Sequence, residues 1–188
     1  MKAALEKYLK DLKQYGKKEN IPNVTETGGR FLNRMVKIKQ PKHLLEIGSA
    51  NGYSTLWLAE AAQKIGAHIH SIDFSKPTFQ EALRNIEQAG FSKTVTLHFG
   101  NALEVVPTIA EPSHFDFVFV DGEKRSYSDF WTLIRPRLTP DALVIFDDVL
   151  AFPEKTKSFL ASIQNDPEVE TLILPIDRED GVLIVNLP

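Results

Sequence analysis

Acidic residues recur where short apolar runs end in this 188-residue chain. Asp73, Asp121 and the pair Asp147-Asp148 each follow a run that is typical of a buried strand. Because the carboxyl ends of parallel strands meet in one crevice, we expect these side chains to lie close together. Three carboxylates at neighbouring strand ends would repel one another without a cation, and oxygen ligands suit a hard divalent ion such as Mg²⁺. The predicted metal ligands are Asp121, Asp147 and Asp148.

A glycine turn follows the first predicted strand, 43–47. The turn reads Gly48-Ser49-Ala50-Asn51-Gly52. Its N–H groups and the N-terminus of the next helix predict a cradle for a nucleotide-type ligand. A dinucleotide site requires G-x-G-x-x-G, which Ala50 breaks, and the chain contains no Gly-Lys-Ser/Thr. Glu46, just before the turn, disfavours a pyrophosphate and suits a ligand with an amino group. Asp73 can accept hydrogen bonds from two ribose hydroxyls.

Apolar runs alternate with amphipathic segments from residue 43 onward, which predicts an α/β fold. We expect a Rossmann-like, doubly wound, mostly parallel seven-stranded sheet with an antiparallel C-terminal hairpin. The turn of this hairpin is predicted at 177–181, and another turn is predicted at 138–141. The predicted strands are 43–47, 67–72, 94–99, 115–120, 142–146, 169–174 and 181–187. The predicted helices between them are about 53–65, 77–89, 102–110, 126–135 and 153–164.

Two helices are predicted before the sheet. The first covers 2–17, and the second begins near Asn23, whose spacing from Glu26 is that of a capping box. The length suits one domain over 1–188. This domain would consist of an N-terminal helical segment, 1–40, and a Rossmann-like core, 41–188.

Charge is unevenly distributed along the chain. Residues 1–42 carry eleven Lys/Arg and four Asp/Glu, whereas the remainder carries eleven and twenty-one. The basic segment predicts either an anionic partner or a solvated helix face. No apolar run approaches the ~20 residues that span a bilayer, so no membrane partner is expected. The absence of cysteine fits a cytoplasmic protein.

Two motifs resemble a known enzyme family. Glu46-Ile47-Gly48-x-x-x-Gly52, followed by Tyr53-Ser54 and later by Asp73, resembles the S-adenosylmethionine site of class I methyltransferases. A second pattern is similar to that of the cation-dependent O-methyltransferases, which include catechol and caffeoyl-CoA O-methyltransferases and bacterial enzymes that modify tRNA hydroxyuridine. The residues that match this second pattern are Asp121, Lys124, Tyr127 and Asp147.

The resemblance implies that S-adenosylmethionine is the cofactor. Asp73 would hold the ribose, and Asn101 would lie by the adenine, where the family usually has Asp. A second cofactor, Mg²⁺ or another hard divalent cation, is implied at the acidic cluster, where Asp148 replaces the usual Asn. The residues expected to contact S-adenosylmethionine are Glu46, Gly48, Ser49, Ala50, Gly52, Ser54, Asp73, Asn101, Ala102 and Asp121.

The implied activity is S-adenosylmethionine-dependent O-methylation of a small catechol-like acceptor, whose hydroxyl is bound to the divalent metal. Lys124, driven toward its neutral form by the cation, is expected to take the hydroxyl proton, with Asp121 as the second catalytic residue. One alternative is a tRNA hydroxyuridine O-methyltransferase, which the basic segment motivates. Others are a non-catalytic adenosine-ligand-binding protein and an NAD-binding oxidoreductase. The family also implies a homodimer.

Overall fold

The computed structural model describes residues 3–176 and 181–187. Helices and strands alternate through most of the chain. The strands are β1 His43–Ile47, β2 His68–Asp73, β3 Val95–Phe99, β4 Phe115–Val120, β5 Leu138–Phe146, β6 Glu170–Pro175 and β7 Gly181–Asn186. The helices are α1 Ala3–Lys18, α2 Glu26–Lys39, α3 Tyr53–Ile65, α4 Lys76–Gln88, α5 Ala102–Val105, α6 Tyr127–Ile134 and α7 Pro153–Gln164. Short 3₁₀ turns occupy Val106–Thr108, Lys124–Ser126 and Arg135–Arg137.

All seven strands belong to one sheet, in the order β3-β2-β1-β4-β5-β7-β6. The first five strands pair in parallel, and β7 lies antiparallel between β5 and β6. The chain builds outward from β1 to β3 and then returns to β4 on the other side, so the topological switch point lies between β1 and β4. The predicted α/β class and the C-terminal hairpin are confirmed. Of the turn predicted at 177–181, residues 177–180 lie outside the described part of the chain.

Helices cover both faces of the sheet because alternate strand residues point to opposite sides. Leu44 of β1 packs in an apolar cluster with Leu56 and Trp57 of α3. Its neighbour Leu45 packs in a second cluster on the other face, which includes Trp131 of α6. Both tryptophans are buried, so they contribute to the core. None of the described helices is long and apolar enough to cross a membrane.

The cap of α2 differs from the prediction. The helix begins at Glu26, and Thr25 rather than Asn23 is its N-cap. The Thr25 hydroxyl accepts a hydrogen bond from the backbone N–H three residues later, at 3.1 Å. Ser, Thr, Asp and Asn all serve as N-caps, so residue type alone did not distinguish these two positions.

The start of β5 also differs. The strand begins at Leu138, which pairs with Phe115, whereas the sequence predicted a turn over 138–141. The turn signal corresponds to an irregularity within the strand: Asp141 has a φ of 62°, and the register shifts between Phe115 and Phe117. Pairing resumes beyond the shift, as at a β-bulge, so the turn residues interrupt the ladder without ending the strand.

Candidate active site

A cleft of about 700 Å³ opens at the carboxyl ends of the central strands. Backbone hydrogen bonds continue the sheet just beyond them. Gly48 donates its N–H to the Ile72 carbonyl at 2.9 Å, and Asp121 donates to Ile47 at 2.8 Å. These bonds fix Gly48 and Asp121 side by side on the cleft wall. The volume is typical of a site for a small molecule.

The glycine turn after β1 forms one wall of the cleft. Gly48 has a φ of 96°, and a Cβ atom there would lie 2.3 Å from the backbone oxygen of Asp121. Gly52, with a φ of 86°, is the N-cap of α3. Ala50, between them, has a φ of 44° and donates its N–H to Asp73 Oδ2 at 2.7 Å. The turn is therefore held both by β4 and by the acid at the end of β2.

Asp73 is buried beside this turn and lines the cleft. Its Oδ1 accepts a hydrogen bond from the Ser75 N–H at 2.8 Å. Burial raises the pKa of the Asp73 carboxyl, and hydrogen bonds from the N–H groups of Ser75 and Ala50 oppose that rise. The Thr78 hydroxyl also donates to Asp73 Oδ1, at 3.4 Å, so the carboxylate has partners on both of its oxygens.

Glu46 lies behind the cleft wall and does not line the cleft. Its carboxylate is fully buried and accepts hydrogen bonds from the hydroxyls of Ser54, Thr55 and Ser71 at 2.7, 2.6 and 2.5 Å. Burial raises the pKa of Glu46 to about 7, although the three hydroxyl bonds lower it. This side chain attaches the first turn of α3 to β1 and β2, and the expected contact between Glu46 and a ligand amino group stays a prediction.

The residues predicted to contact S-adenosylmethionine divide into two groups. Four of them are buried and do not line the cleft: Glu46, Ser49, Gly52 and Ser54. The six that do line it are Gly48, Ala50, Asp73, Asn101, Ala102 and Asp121. Asn101 is also the N-cap of α5, since its Oδ1 accepts the Leu103 N–H at 3.0 Å.

Lys124 lies between two of the predicted metal ligands. Its Nζ is 2.6 Å from Asp121 Oδ1 and 3.0 Å from Asp148 Oδ2. Asp148 adopts the left-handed conformation, with a φ of 53°, which Asp and Asn tolerate better than most residues. Tyr127 is fully buried and donates its hydroxyl to the Asp147 carbonyl at 2.7 Å. The segment after β4 is thus connected to the loop after β5 twice, by the ion pair of Lys124 with Asp148 and by the hydrogen bond from Tyr127 to Asp147.

The charge state of Lys124 depends on the two carboxylates that it contacts. Burial lowers the pKa of Lys124, but the carboxylates of Asp121 and Asp148 outweigh it, so the pKa is raised overall. Burial likewise raises the pKa of the Asp121 carboxyl, and the Lys124 ammonium opposes that rise. These carboxylates favour the charged form of Lys124. A bound divalent cation would act in the opposite direction, and its expected effect of driving Lys124 toward the neutral form stays a prediction.

The predicted metal ligands have suitable donor atoms, but these atoms are not arranged as a complete coordination site. Within residues 3–176 and 181–187, no three His, Cys, Asp or Glu side chains are already arranged to hold a metal ion. Asp121, Asp147 and Asp148 all line the same cleft, and carboxylate oxygens suit a hard cation. Because Lys124 Nζ contacts two of these carboxylates, a cation could bind them only if the ammonium moved away from at least one.

Sequence reasoning missed the apolar and charged residues at the mouth of the cleft. Phe74 and Phe152 are 72% and 41% exposed, although both are large and apolar. Glu123 and Lys155 line the same region. Each of these four follows a strand end or opens a helix, so the sequence placed them at the correct edge of the sheet without indicating that they face the cleft.

The strand order, the antiparallel β7 and the glycine turn after β1 define the fold of a class I methyltransferase. At the level of sequence, a family model described as O-methyltransferase matches residues 1–186. The chain belongs to this O-methyltransferase family.

Individual relatives agree with this assignment. A catechol O-methyltransferase of Niastella koreensis is 32% identical over 132 residues, which cover 68% of this chain and 58% of that protein. Caffeoyl-CoA O-methyltransferase 1 of Arabidopsis thaliana is 28% identical, with 94% of this chain and 76% of that protein covered. An O-methyltransferase from Bacillus cereus, solved in complex with SAH, superposes with a TM-score of 0.88 at 25% identity, covering 97% and 91% of the two chains.

Proposed function

We propose that this protein transfers a methyl group from S-adenosylmethionine to a hydroxyl of a small catechol-like acceptor. The observation that carries the proposal is that one cleft contains both the glycine turn with Asp73 and the cluster around Lys124. Methyl transfer needs this adjacency, because the donor and the acceptor oxygen must meet directly. The SAH complex of the Bacillus cereus relative supports the donor, and the names of the Niastella and Arabidopsis relatives support a hydroxyl-bearing acceptor.

The donor would bind along the ends of β1, β2 and β3. Asp73 accepts hydrogen bonds from Ala50, Ser75 and Thr78. A ribose diol would replace the longest of these, the 3.4 Å bond from the Thr78 hydroxyl. Asn101 and Ala102 line the cleft beyond it, where the adenine would lie. Gly48 leaves the cleft wall free of a side chain beside the backbone of Asp121. These residues would orient the donor so that its methyl group faces Asp121 and Lys124.

Lys124 is held in its charged form by Asp121 and Asp148, so it would first have to release a proton. Its neutral Nζ would then be the group best placed to accept the proton of the acceptor hydroxyl. The acceptor oxygen would then attack the methyl carbon, and the carbon–sulfur bond would break to release S-adenosylhomocysteine. Holding the oxygen, carbon and sulfur in line would supply much of the rate enhancement. Asp121 would hold Lys124 Nζ in position through its 2.6 Å contact.

A divalent cation remains part of the proposal as a second cofactor. Asp121, Asp147 and Asp148 would hold it, on the basis of their carboxylate chemistry and their place in the cleft. When bound, such an ion would stabilise negative charge on the acceptor oxygen. The third carboxylate, Asp148, would make the site more negative than one with a neutral amide.

Calorimetry with S-adenosylmethionine and with NAD, each with and without Mg²⁺, tests the proposal. We expect S-adenosylmethionine to bind and NAD not to bind. Binding of NAD alone would contradict the proposal and favour an oxidoreductase. Binding of S-adenosylmethionine without methylation of any hydroxyl acceptor would favour the non-catalytic alternative.

The tRNA alternative has less structural support than a small acceptor. Several basic side chains of the N-terminal segment, which motivated it, contact acids within the protein and so have less positive charge to offer phosphates. These ion pairs are Lys7–Asp11, Arg30–Glu26, Lys37–Glu60 and Lys39–Asp141. Binding to tRNA, a homodimer and a cytoplasmic location stay predictions.

A further inference from the structure

The mouth of the cleft contains a second lysine, beyond Lys124. Lys155 lies in the first turn of α7, its side chain is 35% exposed, and its Nζ lies 5.1 Å from the centroid of the Phe152 ring. Both residues line the same cleft as Lys124. An aromatic face and an ammonium group are therefore presented together at the entrance.

The position of Lys155 is fixed by the backbone around it. Its N–H donates to the Phe152 carbonyl at 2.9 Å. The next residue, Thr156, is fully buried, and its hydroxyl donates to the carbonyls of Val149 and Phe152 at 3.0 and 3.1 Å. The first turn of α7 is thus attached to the loop after β5, which carries Asp147 and Asp148. Lys155 keeps a defined place relative to the acidic cluster.

Lys155 forms only a weak ion pair, with Glu123. Its Nζ lies 3.7 Å from Glu123 Oε1, and the Glu123 side chain is 55% exposed. Exposed ion pairs of this kind contribute little to stability. A ligand carboxylate could therefore replace Glu123 as the partner of Lys155 at small cost.

The rest of the cleft would repel an anion. Among the described lining residues, only Lys124 and Lys155 are basic, and Lys124 is already shared by Asp121 and Asp148. The acidic lining residues are Asp73, Asp121, Glu123, Asp147 and Asp148. An anionic substituent on an acceptor is consequently favoured at one place, beside Lys155.

We propose that Lys155 binds a carboxylate on an aromatic acceptor whose ring packs against Phe152, so that the preferred substrates are aromatic hydroxy acids. This inference rests on the proposed function, because it concerns the acceptor half of the same cleft. The acceptor ring would pack on the part of Phe152 that Lys155 Nζ does not cover, and its carboxylate would lie beside that ammonium group. The hydroxyl group would then point inward toward Lys124.

Methylation of protocatechuate and of its methyl ester by the intact protein tests the inference, because the two compounds differ mainly in one negative charge. We expect kcat/KM to be ~5-fold higher for the acid, the size of an exposed charge pair. The preference should shrink as salt is added, since salt screens exposed charges. In Lys155→Met the ratio of acid to ester should fall to about 1, whereas in Glu123→Gln it should rise.

Lys157→Met is the matched control, because Lys157 is an exposed lysine of the same helix that does not line the cleft. It should keep the wild-type ratio. An unchanged ratio in Lys155→Met, or a preference for dopamine over the acid, would overturn the inference while leaving methyl transfer established. No transfer to the acid, the ester or dopamine would overturn the proposed function and this inference with it.

Discussion

The backbone oxygen of Asp121 lies 2.3 Å from the position that a Cβ atom on Gly48 would occupy. The glycine turn after β1 and the acid after β4 are therefore in direct contact. No side chain can be added at residue 48 unless one of these two strand ends moves. The donor half and the acceptor half of the proposed site depend on each other through this contact.

Gly48→Ala should destabilise the fold and weaken binding of S-adenosylhomocysteine. Gly66 provides the control, since it also has a positive φ, 73°, but nothing lies within 4 Å of its Cβ position. Both variants place an alanine at a positive φ and are strained by it. Only Gly48→Ala also brings a Cβ atom into collision with the backbone of Asp121. We expect the free energy of unfolding to fall by ~1–3 kcal/mol more in Gly48→Ala than in Gly66→Ala. Equal losses in urea titrations would show that β4 tolerates a side chain there.

Asp73→Asn should weaken binding of S-adenosylhomocysteine by about 10- to 100-fold, because hydrogen bonds to a charged group are worth ~1.5–3 kcal/mol. Asp116→Asn is the matched control. Asp116 also accepts two backbone N–H bonds, from Lys42 and His43 at 2.8 and 2.9 Å, at the opposite end of the sheet. Calorimetry should show a loss only for Asp73→Asn. Similar affinities in the two variants would argue against a direct contact between Asp73 and the ligand.

Glu46 should make stability depend on pH. Its folded pKa is about 7, against 4.5 for an ordinary glutamate, so the folded protein holds an extra proton between these two pH values. Stability should therefore fall as pH rises from about 4.5 to 7 and level off above 7, by on the order of 3 kcal/mol in total. Glu46→Gln should lack this component. Parallel stability curves for wild type and Glu46→Gln would contradict the raised pKa.

The sequence predicted the strand ends well because turn residues and apolar runs are local signals. It identified Gly48, Asp73 and Asp121, which all line the cleft. The hydrogen-bond partners of Glu46 could not be predicted, because the direction of that side chain depends on strand register. Glu46 pairs with Ser71 on β2 and faces α3, and neither relationship can be read from residue spacing.

The mouth of the cleft was beyond sequence reasoning for a similar reason. Phe152 and Lys155 belong to α7, and their orientation depends on how Thr156 attaches that helix to the loop after β5. The charge state of Lys124 also depends on tertiary structure. Asp148 Oδ2 lies 3.0 Å from Lys124 Nζ because the loop after β5 places it there. The left-handed conformation of Asp148 in that loop could not be predicted from a local sequence pattern.

Lys124→Arg should lower kcat by ~10²–10⁴, because general-base catalysis contributes about this much and a guanidinium does not give up its proton. The positive charge between Asp121 and Asp148 would be kept, so binding of S-adenosylhomocysteine should change little. Lys157→Arg serves as the surface control. A wild-type kcat in Lys124→Arg would show that another group takes the proton.

Transfer of a labelled methyl group from S-adenosylmethionine to a catechol, measured with EDTA and after Mg²⁺ is added back, tests the central claim most directly. We predict labelled O-methylated product with Mg²⁺ present, and a rate that falls when EDTA is added and recovers with Mg²⁺. A rate that ignores the chelator would contradict the role of the cation. The absence of labelled product under all of these conditions, with S-adenosylmethionine bound, would contradict the O-methyltransferase activity itself.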